Sequence, residues 1–117
     1  MKKKVAVIGD LIIDKFLYFE SIRLSPEGPG PIVRRLDQKN SAGGAGNVAI
    51  SLSNLGFNVD LFYQEPSVDE ISTQTIIKKL FRSHEISLMP LKSSLKKTIP
   101  VKTRYYVENR HFMREDS

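Results

Sequence analysis

Two short stretches and one basic cluster hold the residue types that can do chemistry. In Asp10-Leu11-Ile12-Ile13-Asp14, two carboxylates stand four positions apart around an apolar triplet. The run before them, Val5-Ala6-Val7-Ile8-Gly9, reads as a strand buried on both faces of a parallel sheet. Ligands of open α/β sheets gather beyond the carboxyl ends of such strands. At least one of Asp10 and Asp14 is therefore a candidate acceptor for ligand hydroxyls; the competing reading is an aspartate that stabilises a turn. The second stretch is Ser41-Ala42-Gly43-Gly44-Ala45-Gly46-Asn47-Val48-Ala49. Its three glycines in four positions permit positive φ and a close approach to the main chain. A glycine-rich loop that enters a helix offers free N–H groups and the positive end of the helix dipole to a group rich in oxygens. A plain tight turn is the alternative, and the glycine spacing fits neither GxGxxG nor a P-loop. Finally, between Lys92 and Arg114 the cations Lys92, Lys96, Lys97, Lys102, Arg104, Arg110 and Arg114 meet only one acid, Glu108. That local field suits a phosphorylated small molecule, an acidic partner or solubility alone.

These residues need elements to hold them. Val48, Ala49, Leu52 and Leu55 recur at helical spacing after the glycine loop, and Gly56 suits the left-handed position that ends a helix. Phe57 to Tyr63 reads as a second strand. A helix capped by Asp69 follows, with Ile76, Ile77, Leu80 and Phe81 as its apolar stripe, and Ile86 to Leu91 gives a third strand. Alternating strands and helices imply right-handed crossovers and a parallel sheet. Residues 15–40 are different: the three prolines of Ser25-Pro26-Glu27-Gly28-Pro29-Gly30-Pro31 forbid a helix, so the segment reads as a β excursion with a rigid turn. Residues 98–107 alternate with period two, Glu108-Asn109-Arg110 reads as a hairpin turn, and His111-Phe112-Met113-Arg114 as the return strand. About three sheet strands look unfinished against the roughly 5 to 6 of an average sheet.

Composition removes several classes of function. With 117 residues and 40% hydrophobic content, the chain suits one small domain. It has no cysteine and only two histidines, His84 and His111, far apart, which argues against disulfides, a thiolate nucleophile and zinc. No apolar run approaches the ~20 residues of a membrane span, and the start of the chain does not read as a signal peptide. The cytoplasm is the expected compartment. The net charge is +5, and the 18 basic and 13 acidic residues are mostly interspersed, with the cluster between Lys92 and Arg114 as the exception and no block of five like charges, which argues against a nucleic-acid partner.

Taken in order, Gly9-Asp10 with Asp14, Arg23-Leu24-Ser25-Pro26-Glu27, Gly43-Gly44-Ala45-Gly46-Asn47-Val48-Ala49 and Leu55-Gly56 resemble the amino-terminal part of the ribokinase-like (PfkB) carbohydrate kinases. The likeness is greatest to the heptose-7-phosphate kinase domain of the bifunctional ADP-heptose synthesis enzymes. This resemblance implies a Rossmann-like α/β fold, a parallel sheet with helices and a protruding β lid, incomplete in this chain, with lid segments at about 15–40 and 98–114. It also implies that Gly43, Gly44 and Asn47 hold sugar hydroxyls and that Asp14, with Asp10 nearby, accepts hydrogen bonds from them. Arg104 and Arg114 become candidates for a sugar phosphate, since guanidinium groups can engage it bidentately.

The whole enzyme would use ATP and Mg²⁺ to phosphorylate a heptose phosphate or related sugar for ADP-heptose and lipopolysaccharide precursor synthesis. No catalytic or metal-binding residue is identified in the chain, which is expected to be inactive alone; the family's Gly-Ala-Gly-Asp motif, which carries the base and anion hole, is not found in it. The partners expected are a sugar or sugar phosphate, the carboxyl-terminal kinase half and a second copy joined through the lid strands, with no nucleic acid and no membrane. A non-catalytic sugar-phosphate binder or lid-mediated assembly module is the alternative. The chain departs from the family pattern over residues 62–67, where Pro66 replaces a glycine.

Overall fold

A computed structural model describes residues 2–92 and 98–117; Lys96 and Lys97 of the basic cluster lie outside the described residues. The chain divides into two units, one formed by Met1–Ile13 and Ser41–Pro100, the other by Asp14–Asn40 and Val101–Ser117.

The first unit is built on three parallel strands, β1 (Lys4–Ile8), β4 (Asn58–Gln64) and β5 (Ile86–Leu91), in the order β1-β4-β5. Residues Val5, Val59 and Ile86 stand side by side in register, as do Val7, Leu61 and Leu88. The central strand alternates strictly, with Val59, Leu61 and Tyr63 buried. Consecutive right-handed crossovers that advance in one direction place α1 (Ala45–Asn54) and α2 (Ile71–Phe81) on one face of the sheet. Ala49 of α1 and Ile77 and Phe81 of α2 are buried there. Burial also pushes the pKa of the Tyr63 phenol up, and the neighbouring Glu65 carboxylate adds to that effect. The opposite face carries Ile8, 74% exposed, and Met89. The expectation that β1 is buried on both faces therefore fails, because among the described residues the helices cover only one of them.

One further expectation is corrected and another holds. The N-cap of α2 is Glu70 rather than Asp69, and no side chain caps the helix. Both carboxylate oxygens of Glu70 are buried without a hydrogen-bond partner among the described residues. Gly56 does adopt the left-handed conformation, at φ 99°, and its N–H closes α1 by donating to the Ser53 carbonyl at 3.0 Å.

The second unit belongs to a four-stranded sheet of order β3-β2-β6-β7, formed from β2 (Leu11–Leu24), β3 (Pro31–Gly44), β6 (Val101–Val107) and β7 (Arg110–Asp116). The proline turn between β2 and β3 is closed by the Ser25 N–H donating to the Gly30 carbonyl at 2.8 Å. Strands β6 and β7 form the antiparallel hairpin expected from the sequence. At its tip, Glu108 and Asn109 both take positive φ, 50° and 62°, which matches the right-handed twist of the flanking strands. The Glu108 carboxylate then accepts the Ser21 N–H at 2.8 Å and ties the tip to β2.

The core of the first unit sets a test of the fold. Leu61 is fully buried on the central strand, so Leu61→Ala is expected to lower the unfolding free energy by about 2 to 5 kcal/mol. Leu24, 81% exposed, should tolerate the same change within about 0.5 kcal/mol. Urea unfolding of both variants measures the difference, and equal losses would contradict this packing.

Candidate functional site

In the first unit the candidate residues converge on one turn. Strand β1 makes its last link to β4 through the Gly9 N–H, which donates to the Phe62 carbonyl at 3.2 Å. The Asp10 carbonyl then accepts the Ala45 N–H at 2.9 Å, where α1 begins. Gly44 precedes Ala45 with φ 58° and ψ −132°, and a Cβ built on it would stand 2.4 Å from the Asp10 oxygen. Only glycine passes that carbonyl so closely. Gly46 is under similar pressure, because a Cβ there would come within 2.5 Å of Leu11 Cδ1 and 2.9 Å of Ala42 Cβ.

The glycine-rich stretch is therefore not a loop. Ser41 to Gly44 end β3 and the helix starts at once, because the left-handed Gly44 turns extended chain directly into α1. No side chain caps α1, so its first turn keeps N–H groups free of side-chain acceptors. Asn47, Gly44 and the Asp10 side chain are exposed, and Gly43 is half-buried. Asp10, Gly43, Gly44 and Asn47 thus share one short region of backbone.

The other candidates lie in the second unit. Asp14 is not at the end of β1 as the sequence suggested; it sits inside β2, since the extended chain resumes directly after Asp10. Its Oδ1 accepts a hydrogen bond from Arg104 Nη1 on β6 at 2.9 Å, with both side chains about a quarter exposed, 21% and 26%. This bond is the main influence on Arg104 and pushes its pKa further up, against a smaller opposing effect of burial. Phe16 lies under the Arg104 guanidinium, 5.4 Å from ring centroid to Cζ. Arg114 stands opposite Arg104 in the β6–β7 register and is held by Asp116 through two bonds of 2.9 Å. Two guanidinium groups side by side repel, and each is balanced here by its own carboxylate. The structure brings Asp14, Arg104 and Arg114 together, and neither arginine is an unpaired cation.

Two features were not anticipated from the sequence. Phe16, Tyr18 and Tyr106 stack at centroid distances of 6.4 Å and 5.3 Å, and His111 meets Tyr106 edge-on at 5.5 Å. The spacing of Phe16 and Tyr18, two apart on an extended segment, was the available signal. The other feature is Gln64, whose side chain bonds the main chain of Leu11 at both ends. Among the described residues, no group of three or more His, Asp or Glu side chains is placed to hold a metal ion, and no helix is long and apolar enough to cross a membrane.

Known proteins resolve the class of fold. No protein-family model matches the chain. A carbohydrate kinase from Agrobacterium tumefaciens superposes with a TM-score of 0.71 at 22% identity, over 98% of this chain and 35% of that one. Ribokinase from Giardia lamblia gives a TM-score of 0.58 at 16% identity, over 100% and 36%. The fold is that of the ribokinase-like carbohydrate kinases, of which this chain carries an incomplete portion. Within that class its sequence kinship is with the bifunctional HldE proteins. The HldE of Helicobacter acinonychis is 36% identical over 114 residues, 97% of this chain and 24% of that protein. The HldE of Methylococcus capsulatus is 47% identical over 58 residues, 50% of this chain and 12% of that protein. The resemblance read from the ordered motifs holds, and the chain spans about a quarter of the length of the Helicobacter relatives it matches.

The geometry at Gly44 makes a direct prediction. Gly44→Ala should cost about 1 to 3 kcal/mol from the strained φ alone and loosen the Asp10–Ala45 bond, whereas Gly28→Ala, with nothing within 4 Å, should be near neutral. Thermal melts of the two variants decide it; equal melting temperatures would show that the backbone does not make this approach.

Proposed function

We propose that this chain is the sugar-phosphate-binding part of a longer carbohydrate kinase, with a heptose phosphate as the sugar class. The observation that carries the proposal is the Asp14–Arg104 pair on an aromatic sheet face. A carboxylate accepts hydrogen bonds only, so it suits hydroxyl donors, whereas a guanidinium donates only and suits phosphate oxygens. Arg104 has four N–H groups left after its single bond to Asp14, and Arg114 lies beside it. The stacked rings of Phe16, Tyr18 and Tyr106 offer apolar faces to the C–H surfaces of a sugar. Exposed Asn47 can both donate and accept, and Gly43 and Gly44 leave the main chain open to hydroxyls. The heptose assignment rests on the resemblance of the ordered motifs to heptose-7-phosphate kinases, and the sequence kinship with the bifunctional HldE proteins supports it.

In this proposal, the segments at about 15–40 and 98–114 form the lid of the kinase, and the parallel strands β1, β4 and β5 belong to the amino-terminal part of its main sheet. ATP and Mg²⁺ would serve the whole protein by supplying the transferred phosphoryl group and balancing its charge. Among the described residues no acidic cluster is placed to hold the metal, and no chemical step is assigned to them.

Self-association through the lid strands has its own support. A groove of about 410 Å³ in the second unit is lined by Phe19, Pro31, Val33, Tyr105, Phe112 and Met113, and Phe112 is 63% exposed. A second copy of the same apolar surface would cover it. Sedimentation should show a dimer that Phe112→Asp dissociates; a monomer at every concentration would refute this contact.

Isothermal titration of the chain tests the sugar-binding function. Heptose 7-phosphate should bind more tightly than the unphosphorylated heptose and more tightly than inorganic phosphate. Asp14→Asn replaces one acceptor oxygen by a donor and should weaken the sugar phosphate by about 10- to 100-fold. Equal affinity in wild type and Asp14→Asn would remove Asp14 from the site.

A further inference from the structure

The main-chain pairing of β1 with β4 stops at Gly9, yet the next residues must hold a fixed path to reach Ala45. Two residues on, the side chain of Gln64 continues the ladder. Its Oε1 accepts the Leu11 N–H at 3.0 Å, and its Nε2 donates to the Leu11 carbonyl at 3.2 Å. A primary amide offers the same donor and acceptor as a peptide group, so Gln64 stands in for one further residue of strand pairing. Leu11 is fully buried, and without this side chain both of its peptide groups would lose partners in a place that water reaches poorly. Asp10 is thereby anchored from both sides, through Gly9 to the Phe62 carbonyl and through Leu11 to Gln64. Its carbonyl is left aimed at the Ala45 N–H, 2.9 Å away, and Gly44 passes over it.

We infer that Gln64 is a positioning residue for the Asp10–Gly44–Ala45 turn, acting without touching a ligand; its place in sugar recognition rests on the function proposed above. Gln64 belongs to the segment 62–67, where the chain departs from the glycine pattern of the kinases it resembles. In this chain an amide at the end of β4 does by side chain what a continued strand would do by backbone.

The test compares the full 117-residue chain with Gln64→Leu, which loses both polar atoms, and Gln64→Glu, whose carboxylate keeps the acceptor and loses the donor. Amide hydrogen exchange read by NMR should rise about tenfold at Leu11 and Ala45 in Gln64→Leu, and less at Leu11 in Gln64→Glu. Val59 and Leu61, in the core strand, should change less than about twofold. The affinity of Gln64→Leu for heptose 7-phosphate should fall about tenfold, the scale of one displaced polar contact. Exchange that rises equally at all four amides, or that leaves Ala45 unchanged in both variants, overturns the positioning role and leaves the proposed function standing. So does an affinity that stays at the wild-type value while Ala45 exchanges faster. A wild-type chain that fails to bind the sugar phosphate, with Ala45 still responding to Gln64, refutes the sugar-binding function and Gln64's part in it, and keeps only the anchoring.

Discussion

The hydrogen bond from the Ala45 N–H to the Asp10 carbonyl is the constraint on which the candidate turn depends. It joins the point where the chain leaves the parallel sheet to the point where it returns as α1. The bond exists because Gly44 adopts φ 58° and carries no Cβ to meet the carbonyl. Gly46 repeats the same logic two residues on, against Leu11, Ala42 and Phe81. Backbone economy of this kind leaves Asn47 and the start of α1 exposed, and it spends glycines where the main chain must approach itself closely.

Charge and aromatic stacking organise the second unit instead. The β6–β7 hairpin sets Arg104 opposite Arg114, a pairing that two guanidinium groups resist unless each has a counter-charge. Asp14 supplies one and Asp116 the other. The same hydrogen bond fixes the Asp14 carboxylate in orientation, while Phe16 supports the guanidinium from below. Arg34 and Glu20 form a further ion pair on this sheet. At the exposures seen here such pairs contribute little to stability; what they do is hold donors and acceptors at fixed positions.

Much of this was legible in the residues. Period-two alternation gave the central strand through Val59, Leu61 and Tyr63, and Glu108-Asn109-Arg110, standing between two extended runs, gave the hairpin. The ordered motifs gave the ribokinase-like class. What stayed hidden was long-range. No local pattern shows that Arg104 reaches Asp14, 90 residues away, or that Gln64 reaches Leu11, 53 residues away. The glycine stretch looked like a loop because its composition is that of one, whereas a single left-handed residue sufficed to join strand and helix. Exposure of one face of β1 was equally unreadable, since Val5 to Ile8 is uniformly apolar and says nothing about how many helices cover it.

Chemical-shift mapping on a labelled chain titrated with heptose 7-phosphate tests the sugar-phosphate function most directly. The expected result is perturbed resonances at Asp14 and Arg104 in the second unit and at Gly43, Gly44 and Asn47 in the first, with the cleft lined by Tyr63 of β4 and Gln74 and Lys78 of α2 unaffected. Perturbations confined to that cleft, or none at millimolar sugar phosphate, would contradict it.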